Sequence, residues 1–103
     1  MSAALTIIAV TTAVAGQQDV LRTAQEALVA ETVKEPGCLR YELSQSLDDP
    51  RILVFTESWA SEKDWRAHMQ GDALQRFRAS GASRLIEDFR LLRLSSVTDG
   101  TQA

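Results

Sequence analysis

The chain has 103 residues, 45% of them hydrophobic and 24% charged, with a net charge of -3. That length allows one domain (1-103) with a small core, and the acidic balance leaves no basic footprint for nucleic acid. A single cysteine, Cys38, excludes an internal disulfide and suits a reducing cytoplasm.

The first apolar stretch, ALTIIAVTTAVAG from Ala4 to Gly16, has the length of a secretory apolar core, but no Lys or Arg precedes it and the first basic residue is Arg22. It is too short to span a bilayer. Its β-branched residues Thr6, Ile7, Ile8, Val10, Thr11 and Thr12 predict a strand of a cytoplasmic protein. After a turn at Gly16–Asp19 the period changes: Val20, Leu21, Ala24, Ala27 and Leu28 recur at helical spacing, with Arg22, Gln25, Glu26 and Glu31 between them. This predicts a helix from about Gln17 to Lys34, stopped by Pro36 and Gly37.

CLRYELSQS (Cys38–Ser46) alternates Leu39, Tyr41 and Leu43 with Arg40, Glu42 and Ser44, a strand pattern. Leu47-Asp48-Asp49-Pro50 is turn chemistry, and RILVFTESW (Arg51–Trp59) returns as a second strand of a hairpin. Ser61-Glu62-Lys63-Asp64 fits the cap of a helix. Gly71-Asp72 breaks that helix, Ala73–Ala79 predicts a short helical segment ended by Gly81, and DFRLLRLSSV (Asp88–Val97) predicts the last strand before a loose tail at 98–103. The order β-α-β-β-α-β in about 100 residues is the ferredoxin-like split βαβ arrangement of the α+β class, an antiparallel sheet with helices on one face. Adjacent apolar pairs, Leu53-Val54 and Leu91-Leu92, leave the other face apolar as well. With no element left to cover it, a second copy is expected there, making a homodimer.

The candidate site lies in FTESWASEKDWRAHM, Phe55 to Met69, which contains both tryptophans and the only histidine. Trp65, His68 and Met69 stand at i, i+3 and i+4 and share a helix face, with Trp59 near the start of that helix. Two readings compete: aromatic core, which this spacing more often means, or the floor of a site for an aromatic ligand. His68 is the acid/base candidate, since imidazole titrates near neutrality. Tyr41 could bond a substrate oxygen, and Phe55 and Phe77 are wall or core. Glu57 shares the strand face of Trp59, as a buried supporting carboxylate or an ion-pair partner of an arginine. Arg78 and Arg84 read as solvated, and Cys38 as packed. Dinucleotide and Walker motifs are missing, one His and one Cys make no recognisable metal cluster, and FRASGASR (Phe77–Arg84) offers no imidazole for haem.

EPGCLRYEL (Glu35–Leu43), the Asp48-Asp49-Pro50 turn and TESWASEKDWRAHM (Thr56–Met69) resemble the antibiotic biosynthesis monooxygenase family, over about Leu5 to Val97. The resemblance implies a bacterial, dimeric α+β-barrel protein. It further implies oxygenation of an electron-rich phenol or hydroquinone to a quinone by O2, without metal or flavin, the substrate itself supplying the electrons. Trp59, Trp65, Phe55, Phe77 and Met69 would then hold the ring, and His68 with Tyr41 would handle its hydroxyl. Relatives often carry a second histidine where this chain has Gly71-Asp72-Ala73-Leu74. Two other functions stay open on this scaffold: an isomerase or degrader of a small signalling carbonyl compound, and a non-catalytic ligand-binding dimer.

Overall fold

The computed structural model describes residues 4–98 and 100. In chain order it contains β1 (Leu5–Ala13), α1 (Gln18–Thr32), β2 (Cys38–Gln45), β3 (Ile52–Trp59), α2 (Glu62–Met69), α3 (Asp72–Ala79), a 3-10 turn (Ala82–Leu85) and β4 (Ile86–Ser95). The strands form one antiparallel sheet in the order β2-β3-β1-β4. This is the ferredoxin-like α+β arrangement expected from the element order. Of the expected tail, residues 99 and 101–103 lie outside the described residues. Among the described residues no helix is long and apolar enough to cross a membrane.

Alternation sorts the two sheet faces. Ile7, Ala9, Thr11 and Ala13 of β1 and Leu53, Phe55, Glu57 and Trp59 of β3 are all buried on the helix side. Each large apolar side chain taken fully out of water there stabilises the fold by about 1.5–3 kcal/mol. The opposite face carries Ile8, Val10 and Val54, half-buried, beside Leu92 and Leu94, which are exposed. Register sets Leu92 next to Ile8, and Val10 next to Val54.

Three details depart from the periodicity. In α1 the buried residues are Leu21, Gln25, Leu28 and Thr32, while Val20 is exposed. The helix face is therefore turned so that an amide replaces one of the expected alkyl groups. Gln25 is fully buried because its Nε2 donates to Thr11 Oγ1 (3.0 Å), whose hydroxyl donates to Leu53 O (2.7 Å). In β2 the register shifts between Cys38 and Arg40, so Cys38, not Leu39, opposes Trp59, and Leu39 is left exposed. Finally, α1 ends at Thr32 instead of Lys34. Lys34 N donates to Glu31 O and Glu35 N to Thr32 O, a tightening of the last turn ahead of Pro36.

That tightened exit positions the site. Gly37 has φ +79°, and a side chain there would collide with the Asp64 carboxylate. Its carbonyl accepts from Ala60 N (2.8 Å), joining the loop to the end of β3. Ser61 caps α2 as expected, accepting from Asp64 N at 3.1 Å and donating to Asp64 Oδ2 at 3.0 Å. Glu35 and α2 are thereby held at one end of the sheet.

Candidate active site

Between the helix side of the sheet and the helices lies a cavity of about 380 Å³, within the size range of small-molecule sites. Ala9, Phe55, Phe89 and Leu91 line it from the strands, and Leu28, Trp65, Met69, Leu74 and Phe77 from the helices. The polar groups in this largely apolar wall are few: Thr11, Gln25, Tyr41, Glu57, His68, Arg78 and Ser83.

His68 is buried, with 3% of its surface exposed, and its Nδ1 lies 2.7 Å from Glu35 Oε1. A carboxylate oxygen only accepts, so this contact places the imidazole proton on Nδ1 and leaves the Nε2 lone pair free. Glu35 does not reach the cavity. It lines a separate surface groove, which His68 also borders, so the imidazole forms the wall between the two spaces. Burial draws the His68 pKa below its usual 6.5, opposed by the bond to Glu35 and assisted by the nearby Arg78 charge. At neutral pH His68 is a neutral imidazole, able to accept a proton.

The aromatic residues divide between wall and support. Trp65, Phe55, Phe77, Met69 and Tyr41 line the cavity as the sequence suggested, but Trp59 does not. It is fully buried, stacked on His68 with ring centroids 4.8 Å apart at 30°, so it supports the imidazole from outside the cavity. Tyr41 packs edge-on to both His68 (5.3 Å) and Trp59 (6.3 Å). Burial, followed by the charges of Glu57 and Glu35, raises the Tyr41 pKa, so its phenol stays protonated and can donate a hydrogen bond. Trp65 carries the Arg93 guanidinium over its ring at 5.4 Å, and Arg93 is held by Glu62 at 2.6 Å. The Phe55–Met69 stretch is thus divided between cavity and core: Trp65 faces the cavity, Trp59 the interior.

Among the described residues Glu57 pairs with no arginine, contrary to one of its expected roles. Its Oε1 accepts from Trp59 Nε1 at 2.9 Å, and burial pushes its pKa up to about 7, with the indole hydrogen bond opposing. Arg78, expected to be simply solvated, is exposed yet reaches the cavity wall. Cys38 is half-buried, and burial with the charges of Glu35 and Glu57 raises its pKa, which suits a packed thiol and not a nucleophile. In the Gly71-Asp72-Ala73-Leu74 segment, Leu74 lines the cavity and Ala73 enters the core. Among the described residues no group of three His, Cys, Asp or Glu side chains stands together as a metal site. Two residues were missed. Glu35 is 33 positions from His68 and could be suspected only from its place before the Pro-Gly turn. Gln25 reads as surface by periodicity, and nothing local distinguishes it.

Comparisons with known proteins agree with this architecture. Residues 4–80 match the family model for antibiotic biosynthesis monooxygenase. Among curated proteins none matches the chain. Of solved structures, PA3566 from Pseudomonas aeruginosa is 31% identical over 95% of this chain and 98% of its own, with TM-score 0.88. SO0527 from Shewanella oneidensis is 27% identical over 93% of each chain, with TM-score 0.85. Rv0793 from Mycobacterium tuberculosis shares the fold at 22% identity, over 95% of this chain and 99% of its own, with TM-score 0.84. With the family pattern matched across most of its length and the same fold in these relatives, this chain belongs to the antibiotic biosynthesis monooxygenase family.

Proposed function

We propose that the protein is a cytoplasmic monooxygenase that oxidises a small electron-rich phenol or hydroquinone to a quinone with O2, using no metal or flavin. The observation that carries this reading is the single imidazole, fixed through Nδ1 on Glu35 and set in the wall of an apolar, aromatic-lined cavity. For a phenol with a free ring position the balance is phenol plus O2 to quinone plus water. His68 Nε2 takes the hydroxyl proton, and the phenolate gives one electron to O2. The resulting radicals join at a ring carbon as a peroxide. That carbon then loses its hydrogen as the O–O bond breaks, one oxygen staying on the ring and the other leaving as water with the proton His68 returns. Trp65, Phe55, Phe77 and Met69 hold the ring, and the Tyr41 phenol donates to its oxygen. The apolar wall excludes water, which strengthens each of these interactions.

Oxygen uptake with a panel of phenols and hydroquinones tests the reading. Uptake in stoichiometry with quinone formation, unchanged by EDTA, is the expected result. Activity abolished by EDTA and restored by one metal ion, or binding of every phenol without turnover, would remove it.

We further propose that the face carrying Ile8, Val10, Val54, Leu92 and Leu94 packs on the same face of a second copy, the solution for a sheet with helices on one side only. Sedimentation at micromolar concentration should give twice the chain mass. Val54→Glu, which puts an unpaired charge in that face, should give the monomer.

A further inference from the structure

The cavity holds a second titratable group for which the reaction above has no use. Glu57 sits in the middle of β3, 4% exposed, in the wall of the cavity. No cation pairs with it among the described ion pairs, and its recorded partner is the indole N–H of Trp59 on Oε1. A structural acceptor for one indole could be an amide, which is cheaper to bury than a carboxyl group. Tyr41 stands directly opposite Glu57 across the β2–β3 pairing, and His68 packs against both Tyr41 and Trp59. Glu57 and His68 therefore share two aromatic neighbours at one end of the cavity, the first as a carboxyl without a counter-ion, the second as an imidazole held with its Nε2 free.

We propose that Glu57 is the proton donor of this cavity, which with His68 as base makes it a site for enolising a ketone on or beside an aromatic ring. The step balances without an oxidant. His68 Nε2 removes a proton from the carbon next to the carbonyl, the C–H pair becomes the new C=C bond, and the carbonyl oxygen takes the Glu57 proton to become the enol hydroxyl. The groups then return to their starting forms by reversal, or by exchange with water, which His68 reaches through Glu35 in the outer groove. Where the carbonyl carbon is itself a ring member, the enol is an electron-rich ring hydroxyl, so the proposal widens the entry to the oxygenation read above. It rests on that reading only for the cavity and the His68 base, not for any reaction with O2. The charged and titratable groups around the pair are Glu35, Cys38, Tyr41 and Arg78.

The test is hydrogen–deuterium exchange of 2-tetralone in D2O under argon, followed by proton NMR. The unmutated protein should exchange the methylene between ring and carbonyl well above the buffer rate, and Glu57→Gln should lower that rate about 10²-fold, the low range for a positioned acid. Binding of 2-naphthol, read by tryptophan fluorescence, establishes that the variant keeps its cavity. Exchange at the buffer rate by the unmutated protein overturns the proposal, as does a Glu57→Gln protein that binds 2-naphthol and exchanges at the unmutated rate. Glu57-dependent exchange under argon without oxygen uptake on any phenol would support Glu57 as donor while removing the oxygenase. Oxygen uptake with phenols alongside Glu57-independent exchange would do the reverse. Should Glu57→Gln fail to fold, infrared spectra of the unmutated protein decide: the protonated carboxyl band should shift when 2-tetralone binds, and a stationary band overturns the proposal.

Discussion

His68→Ala should lower phenol-dependent oxygen uptake by about 10²-fold or more, the lower range for loss of a positioned acid/base group. His68→Gln should fall as far, because an amide hydrogen-bonds but exchanges no proton at neutral pH. The buried position makes a purely structural outcome a real competitor: the imidazole stacks on Trp59, meets Tyr41 edge-on and closes the wall between cavity and groove. Rate per folded protein and melting temperature, taken together, separate the two. If the role is chemical, the rate of the folded variant collapses whatever happens to the melting temperature. A folded His68→Ala protein with full turnover would end the acid/base assignment. Glu35→Gln supplies the finer comparison. It removes the charge facing Nδ1 while keeping an oxygen that can accept from it, so the imidazolium formed during reaction loses its counter-charge. Because the Glu35 bond and charge raise the His68 pKa, the acidic limb of the pH–rate profile should move to lower pH as kcat falls.

The second large effect is on stability and comes from Glu57. Its carboxyl has a pKa of about 7 in the fold against 4.5 as the ordinary value, because burial disfavours the anion. The folded protein therefore binds this proton more tightly than the unfolded chain does. Stability contributed by the neutral acid is fully present below about pH 4.5, declines as pH rises, and is gone above about pH 7. At about 1.4 kcal/mol per pH decade, the loss across that window is on the order of 3 kcal/mol. Glu57→Gln keeps an oxygen for the Trp59 indole and has nothing to ionise, so its stability should not share this decline. His68 acts in the opposite direction: its folded pKa is depressed, so its neutral form loses stability as pH falls below 6.5. The informative quantity is thus the difference between the unmutated protein and Glu57→Gln. Urea denaturation at about pH 5 and about pH 8 measures it, and a difference that stays constant between the two would show that Glu57 is ionised in the fold throughout.

The element order was legible in the residues because local rules set it. The β-branched run of β1, the alternation in β2, the Ser61 cap, the Asp-Asp-Pro turn and the Pro36-Gly37 stop each depend on backbone sterics and hydrogen bonds within a few positions. So did the shared face of Trp65, His68 and Met69, which follows from helix geometry alone. What periodicity could not separate was which tryptophan meets a ligand. Both are buried aromatics at apolar positions, and only the packing of α2 on β3 puts Trp65 against the cavity and Trp59 behind His68. The one-residue bulge in β2, which exchanges Cys38 for Leu39 at the inner face, leaves no mark on the alternation. Gln25 misleads because a polar side chain enters a core only when a group elsewhere in the fold bonds it. Thr11 of β1 supplies that partner for the amide, whereas Trp59 lies two residues from Glu57 on the same face of β3, so that contact is local. Glu35 is the same case as Gln25, beside the imidazole. Its distance from His68 along the chain is bridged by the Gly37 turn under Asp64, so the residue that sets the imidazole tautomer was decided by tertiary structure, while the imidazole itself was evident from the sequence.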